Sequence, residues 1–192
     1  MIRIGLVVLI LLCSISCQDS KYQSLPEEKR AFLINVGDSI SSELQGILLK
    51  NVADAIKQGG TTYAVDFCNL NAYPLTEEVS KKHKVKIERL TDKPRNTKNA
   101  ITAEIDQEAW ERIKSGETAF LEQNQEGELY FYKPILIGMP TCLQCHGKTK
   151  DIQVSTLELI ENKYPEDKAL EYEIGDLRGM WKIKFEHPSF TR

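Results

Sequence analysis

The sequence has little of several features that often point directly to a class of protein. Among its 192 residues, 25 Lys and Arg stand against 28 Asp and Glu, so we expect a mildly acidic surface. That balance argues against nucleic acid as a partner. The sequence has no internal repeat and no low-complexity tract, and its longest apolar run, Ile4 to Leu12, is too short to span a bilayer. The length of the chain after this apolar run suits one domain with its own hydrophobic core.

The N-terminus has the form of an export signal. Arg3 gives a short positive region, the apolar run follows, and Ser14-Ile15-Ser16 places small residues before Cys17. This order resembles a bacterial lipoprotein signal, in which Cys17 becomes the lipidated first residue, although Ser14 stands where leucine is common. An ordinary secretory signal cleaved nearby is the alternative, and both carry the mature chain across the inner membrane.

We therefore divide the chain into a lipoprotein signal peptide (1–16), a lipid-anchored tether (17–26) and a single domain (27–192). The expected location is the periplasmic side of a bacterial membrane, to which the lipid on Cys17 anchors the protein. The anchor is compatible with the inner or the outer membrane.

Cysteine is scarce, and export leaves few of the five cysteines free. Cys13 is removed with the signal, and Cys17 is expected to carry lipid. Cys142 and Cys145 lie three residues apart, whereas Cys68 has no cysteine near it in the sequence. The pair and the lone cysteine therefore need separate explanations.

The stretch from Pro140 to Gly147 has the Cys-x-x-Cys-His form of a site for covalent attachment of a c-type haem. Each thiol adds across one vinyl group of the porphyrin, so Cys142 and Cys145 must reach two neighbouring pyrrole edges. His146 is then carried beneath the iron, where its imidazole can act as an axial ligand. Gly147 lets the backbone leave the haem face without a side chain. We predict one covalent haem c at this motif.

Three other interpretations of the motif remain open. A thioredoxin-like dithiol uses the same Cys-x-x-Cys spacing but has no need of the following histidine. A zinc site would add Cys68 to the motif's ligands, but adjacent Cys145 and His146 are an awkward pair around one tetrahedral ion. A simple disulfide between the two motif cysteines is the third interpretation.

Apolar periodicity predicts that the first part of the chain is helical. Apolar residues recur at three- and four-residue steps from near Pro26 until Gly59-Gly60, which ends the helix. A second helix starts at Thr61 or Thr62 and carries Cys68. Pro74 is expected to interrupt it before a third, short helix.

In the rest of the chain, apolar and polar residues alternate in four segments, as they do in β-strands. The predicted strands cover 84–89, 119–123 and 128–137, with a last one around 181–185. Two short helices are predicted, one over 106–114 and one that starts at the capping box of Ser155 and Glu158. In the last strand Trp181, Ile183 and Phe185 alternate with charged residues, which predicts one buried and one solvent-facing side. Helices combined with an antiparallel sheet make an α+β fold.

Several separated stretches together resemble the Tll0287-like (DUF3365) family of haem-binding proteins. The stretches are Ala64-Val65-Asp66-Phe67-Cys68-Asn69, Arg89, Arg95-Asn96 with Asn99, Cys142-Leu143-Gln144-Cys145-His146-Gly147, Tyr164-Pro165-Glu166-Asp167-Lys168-Ala169 and Gly175-Asp176-Leu177-Arg178-Gly179. The haem motif is specific by itself, and the order and combination of the others make the case. The resemblance implies a PAS-like antiparallel sheet with a long N-terminal helix, flanking helices and a single c-type haem.

The resemblance also implies a role for Cys68. In such proteins the cysteine of the matching helix is the second axial ligand of the iron, opposite the histidine. From residue type alone, a buried free cysteine that packs as a small hydrophobe is the other interpretation. Met139 and His83 are rival ligands, but Met139 lies only three residues before Cys142 and His83 lies in a charged run expected to be solvated.

Arg89 and Arg95 are candidates to pair with the haem propionates, since guanidinium groups match carboxylates in shape and charge. Ordinary surface salt bridges are the alternative. The loop departs from the family pattern, because Thr97 stands where proline commonly follows the Arg-Asn pair. Trp181 and Tyr132 are candidates to line the haem pocket, and core packing explains them equally well.

These observations predict a haem protein that is not an enzyme. With both His146 and Cys68 bound, the iron would have no open position, and thiolate donation favours the ferric state. We expect one-electron transfer by a membrane-tethered c-type cytochrome with an unidentified redox partner protein. Redox or small-gas sensing is the alternative, and no output domain is recognised in the sequence, which favours electron transfer. A zinc or dithiol structural protein without haem is the third hypothesis.

Overall fold

The computed structural model describes residues 25–186 and residue 190, so the predicted signal peptide and Cys17 lie outside the described residues. Its elements, in chain order, are helix α1 (Glu27–His83), strand β1 (Lys86–Leu90), helix α2 (Glu104–Lys114), strand β2 (Phe120–Gln123), strand β3 (Leu129–Leu136), helix α3 (Leu143–His146), helix α4 (Val154–Lys163) and strand β4 (Leu177–Phe185). Short 3₁₀ turns cover Thr97–Asn99, Pro140–Cys142 and Thr149–Asp151.

The strands form one antiparallel sheet of four, in the order β1-β4-β3-β2. At its centre Phe131 of β3 pairs with Ile183 of β4, which also pairs with Ile87 of β1. The register of β3 shifts between Ile135 and Leu136, where the strand leaves the sheet toward the cysteine motif. The predicted α+β fold with an antiparallel sheet is confirmed.

Helix α1 covers one face of the sheet. Its buried residues Leu33, Ile40 and Leu44 pack against the sheet residues Phe131 and Trp181 in one apolar cluster. This cluster accounts for the apolar periodicity of the N-terminal half of the helix. Trp181 is therefore a core residue beneath α1. This position agrees with the interpretation of Trp181 as part of the core packing.

Helix α2 covers the opposite face of the sheet. Its residues Ala109, Trp110 and Ile113 are buried in a second cluster that also contains Tyr132. The prediction that this face of β4 meets solvent is wrong at Lys182, which is only 8% exposed beneath α2, whereas Lys184 is partly exposed and Glu186 is exposed. Together, α1, the sheet and α2 make three layers.

Two glycines bend α1, and a proline does not. Gly59 and Gly60 have non-helical backbone angles, and the positive φ of Gly60, 74°, explains why glycine stands there. The predicted break at this pair is confirmed. The prediction that Pro74 interrupts the helix is wrong, because the helix continues to His83. Pro74 lies on an exposed turn, where water can satisfy the carbonyl that its missing N–H leaves free.

The predicted capping box at Ser155 is also wrong. Helix α4 begins at Val154, and the carbonyl of Gln153 accepts the first helical hydrogen bonds from Thr156 and Leu157. The side chain of Thr156 is buried against α1, where its hydroxyl lies 2.5 Å from that of Thr61. The contact between α4 and α1, more than a local cap, thus positions the start of this helix.

Candidate functional site

The two motif cysteines lie on one short stretch of helical backbone. Cys142 ends the turn Pro140–Cys142, and Cys145 lies three residues later within α3. Residues at this spacing project from the same side of a helix, so the two thiols face the same region. Both are partly buried, and neither forms a disulfide within the described chain. The geometry leaves both sulfur atoms available for covalent chemistry.

The imidazole of His146 is held from one edge by the chain itself. Its Nδ1 lies 2.8 Å from the carbonyl oxygen of Ala169. A carbonyl can only accept a hydrogen bond, so Nδ1 carries the proton and Nε2 keeps its lone pair. The ring of Tyr172 packs edge-on against the imidazole, with ring centroids 6.4 Å apart. Nε2 is thus the nitrogen that can bind a metal.

The surroundings of His146 favour the neutral ring. Burial lowers the pKa of His146 well below its usual value of 6.5, and the positive charges of Arg95 and Arg178 lower it further. Neutral imidazole is the form that binds metal ions. The lowered pKa and the tautomer of His146 therefore both favour a ring that can bind a metal ion through Nε2.

Backbone hydrogen bonds tie the segment after α4 to the motif. The N–H of Tyr172 donates to the carbonyl of His146, and that of Glu171 donates to the carbonyl of Gly147, both at 3.0 Å. The N–H of Lys168 donates to the carbonyl of Pro94, also at 3.0 Å. These bonds place the Ala169 carbonyl beside the imidazole.

Arg95 joins three parts of the site through a single nitrogen. Its Nη2 donates to the carbonyl of Cys145 at 2.6 Å, to a carboxylate oxygen of Asp167 at 3.0 Å and to the carbonyl of Ala169 at 3.3 Å. Its Nε is buried and has no hydrogen-bond partner within the described residues. A buried N–H of this kind is rare in folded proteins and marks a place for an acceptor.

Gly147 is required by the backbone of the motif helix. A Cβ at this position would lie 2.6 Å from the carbonyl oxygen of Leu143, whose hydrogen bond from the Gly147 N–H closes the helix. The predicted need for a residue without a side chain therefore has a reason within the chain itself.

Helix α1 brings Cys68 to the same region. Burial raises the pKa of the Cys68 thiol, while the positive charges of Arg89 and Arg95 oppose that rise. The pKa of Cys145 is raised mainly by burial, and Cys68 contributes to that rise through its charge. Cys68, separated from the motif by more than 70 residues of sequence, is therefore one of its neighbours in the fold.

Arg89 and Arg178 are further positive charges at the site. Burial lowers the pKa of both guanidinium groups, and the charge of Cys68 acts on Arg89 in the opposite direction. No carboxylate forms a salt bridge with either arginine within the described residues, whereas Arg95 pairs with Asp167. The site as described has more positive charge than its own carboxylates neutralise.

Of the rival ligands, His83 pairs with a residue outside this cluster, and Met139 lies beside the motif with an exposed side chain. His83 lies at the end of α1, where its Nε2 is 2.9 Å from Glu43. Met139 is 41% exposed. Within the described residues, no group of three or more His, Cys, Asp or Glu side chains is arranged to hold a metal ion. Tyr132 lies in the core beneath α2, with its hydroxyl donating to Asp106 at 2.7 Å.

Sequence reasoning did not assign roles to Ala169, Asp167, Tyr172 or Arg178. Ala169, Asp167 and Arg178 lie in stretches that carry the family resemblance, which was the available signal for them. Ala169 acts through its backbone, so its residue type gives no indication of its part in the site.

Of the described helices, none is both long enough and apolar enough to cross a membrane.

The fold and the site define an α+β protein with a Cys-x-x-Cys-His motif near a cysteine-bearing helix. The chain belongs to the Tll0287-like family, whose model matches residues 19–185. Among solved structures it is similar to the cyanobacterial haem protein Tll0287, with 21% identity and a TM-score of 0.63, over 85% of this chain and 98% of that one. At this identity the likeness establishes the fold. No curated protein matches the sequence.

Proposed function

We propose that this chain binds one haem c and exchanges single electrons with a protein partner. The observation that carries the proposal is the hydrogen bond from His146 Nδ1 to the Ala169 carbonyl, which leaves Nε2 free beside two unpaired thiols. Family membership and the haem named for the solved relative support the same cofactor. A dithiol or disulfide would use neither the orientation nor the neutral form of this imidazole.

The donor atoms and the positive charge of the site suit a haem. Cys142 and Cys145 would each form one thioether by adding S–H across a vinyl group, a step that consumes no oxidant or reductant. His146 would hold the iron through Nε2, and Cys68 would hold it from the other side. Arg95 Nε–H, which has no partner among the described residues, and the buried guanidinium of Arg89 suit the two carboxylates of the propionates.

Bound haem supplies an iron centre that cycles between the ferric and ferrous states. The chain's contribution is to fix the donors on both sides and to keep the imidazole neutral and oriented. With both axial positions filled by His146 and Cys68, the site favours electron exchange over substrate binding. We therefore propose a cytochrome and not an enzyme.

We further propose that the protein works on the periplasmic side of a bacterial membrane. The support is the sequence order of Arg3, the apolar run and Cys17, which suits export and lipid attachment. Attachment of c-type haem outside the cytoplasm is consistent with that location. The electron donor or acceptor would be a redox protein that reaches the same membrane surface.

Production of the exported protein with a c-type haem assembly system tests the proposal. We expect a mass increase of one haem, and a Soret band that stays with the polypeptide after denaturation. Cys142→Ala combined with Cys145→Ala is expected to lose the covalent haem, whereas the matched variant Cys68→Ala keeps it. Colourless wild-type protein, or covalent haem in the double variant, would contradict the proposed attachment.

Carbon monoxide distinguishes electron transfer from gas sensing. If His146 and Cys68 both remain bound in the ferrous protein, carbon monoxide leaves the optical spectrum unchanged over minutes. Rapid formation of a carbon monoxide complex in wild-type protein would instead indicate that one ligand leaves readily, which favours sensing.

A further inference from the structure

The carbonyl oxygen of Ala169 accepts hydrogen bonds from two donors at once. His146 Nδ1 lies 2.8 Å from this oxygen, and Arg95 Nη2 lies 3.3 Å from it. A strong acceptor at Nδ1–H makes an imidazole a better electron donor to metal at Nε2. A cation on the same oxygen draws electron density away from it and therefore weakens that effect. Arg95 can thus act on the iron-binding nitrogen without touching the ring.

Asp167 opposes the charge of Arg95. One of its carboxylate oxygens lies 3.0 Å from Arg95 Nη2, and the other accepts the N–H of Ala169 at 2.9 Å. The side chains of Arg95 and Asp167 are 13% and 6% exposed, so water screens them weakly. The carbonyl next to His146 is thus held between a cation and an anion, each with its own hydrogen bond to the site.

We propose that the Arg95–Asp167 pair sets how strongly His146 donates to a bound iron, and so sets the reduction potential of the site. This inference rests on the proposed function, since it requires iron on Nε2. Arg95 raises the potential in two ways, because its positive charge disfavours the ferric state and its hydrogen bond weakens the acceptor at Nδ1. Asp167 lowers the potential by opposing both effects. Arg95 and Asp167 are positioning residues, which act on His146 through the Ala169 carbonyl and on the iron through their charges.

The test uses intact haem-loaded protein and the variants Arg95→Gln, Asp167→Asn and their combination. We expect a more negative reduction potential for Arg95→Gln, a more positive one for Asp167→Asn, and a value between these two for the double variant. An optical titration with redox mediators measures each potential. The nuclear magnetic resonance shift of the His146 Nδ1–H reports its hydrogen bond, and is expected to move in opposite directions in the two single variants.

Arg112→Gln is the matched control. Arg112, at the end of α2, forms an exposed ion pair with Glu117, at 2.6 Å, and also pairs with Glu122. Its removal is expected to leave both the potential and the Nδ1–H shift unchanged.

Opposite shifts of the potential together with opposite shifts of the Nδ1–H resonance support the inference, because a change of charge alone would move the potential without changing the His146 hydrogen bond. Shifts of the same sign, or an unchanged Nδ1–H shift, would overturn it. If Arg95→Gln does not accumulate, Asp167→Asn decides: a positive change in potential together with a moved Nδ1–H shift supports the inference, and a zero or negative change in potential or an unmoved Nδ1–H shift overturns it. Mass measurement separates the two claims, since wild-type protein without covalent haem contradicts the proposed function itself.

Discussion

The Nζ of Lys182 on β4 lies 2.7 Å from a carboxylate oxygen of Asp106 on α2, and both residues are buried. The same carboxylate accepts the hydroxyl of Tyr132 at 2.7 Å. This group explains how a charged residue can lie on a covered face of the sheet: its charge is paired, and its partner also accepts the hydroxyl of Tyr132. It also joins α2 to the two central strands.

Removal of the Asp106 carboxylate should therefore destabilise the fold strongly. In Asp106→Ala, the buried ammonium of Lys182 and the hydroxyl of Tyr132 lose their partner, so we expect a loss of about 3 kcal/mol or more in the free energy of unfolding. Chemical denaturation measures this loss. Asp54→Ala is the control: it breaks the exposed pair with Lys50 on α1, and the expected change is much smaller because water screens that pair. Equal effects of the two variants would contradict the importance of burial.

A methyl group at Gly37 should weaken the contact between α1 and the sheet. A Cβ at this position collides with the ring of Phe131, so Gly37→Ala is expected to destabilise the protein by about 1–3 kcal/mol. Gly46, on an exposed side of the same helix, has no atom within 4 Å of an added Cβ. Gly46→Ala is expected to stabilise by about 0.5–1 kcal/mol. Thermal or urea unfolding compares them, and the two changes should differ in sign.

Substitution of Cys68 should change the electronic spectrum but not the attachment of the haem. In Cys68→Ser the proposed thiolate ligand is replaced by a weaker donor, so the ferric spectrum should change and the reduction potential should rise. Leu70→Ser, two residues further along α1 and 69% exposed in the described structure, is the control. Identical spectra for Cys68→Ser and wild-type protein would remove Cys68 from the coordination sphere.

Acid should weaken the turn between β2 and β3. Hydrogen bonds from Lys184, Tyr130 and Asn124 lower the pKa of Glu128 from 4.5 to about 2. A carboxyl group that is more acidic in the folded state stabilises the fold above its unfolded pKa, and that contribution disappears as the pH falls through its folded pKa. The stability difference between wild type and Glu128→Gln should therefore shrink between pH 4.5 and about 2.

Urea midpoints at several pH values measure that difference. Glu126→Gln is the control, because Glu126 is exposed in the same turn and forms no salt bridge among the described residues. A constant gap between wild type and Glu128→Gln from pH 7 to pH 2 would contradict the role of the ionised carboxylate.

The sequence pattern predicted those parts of the fold that local residues determine. The apolar steps of α1, the break at Gly59-Gly60 and the alternation in β1 depend on neighbouring residues and are visible in any short window. The burial of Lys182 was not predicted, because its partner Asp106 lies 76 residues away and belongs to another element. The continuity of the helix through Pro74 was missed because a general rule for proline was applied to an exposed turn.

The candidate site divides in the same way. Cys142, Cys145 and His146 were found because the chemistry of attachment requires them to be adjacent in sequence. The imidazole of His146 donates to a backbone carbonyl that lies 23 residues away in the sequence. The same carbonyl accepts a second hydrogen bond from Arg95, which lies 74 residues before it. No residue type or spacing encodes such a contact, so only the fold reveals it.

The bend at Gly59-Gly60 is the point about which the following part of α1 would rotate relative to the half that packs on the sheet. Cys68 lies eight residues beyond Gly60, about 12 Å along the helix axis, so a swing of about 10° would displace its Cα by about 2 Å. The buried hydrogen bond between the hydroxyls of Thr61 and Thr156 holds this part of α1 in place immediately after the bend. Helix α4, which supplies no cysteine or histidine of its own, thereby supports the part of α1 that carries Cys68.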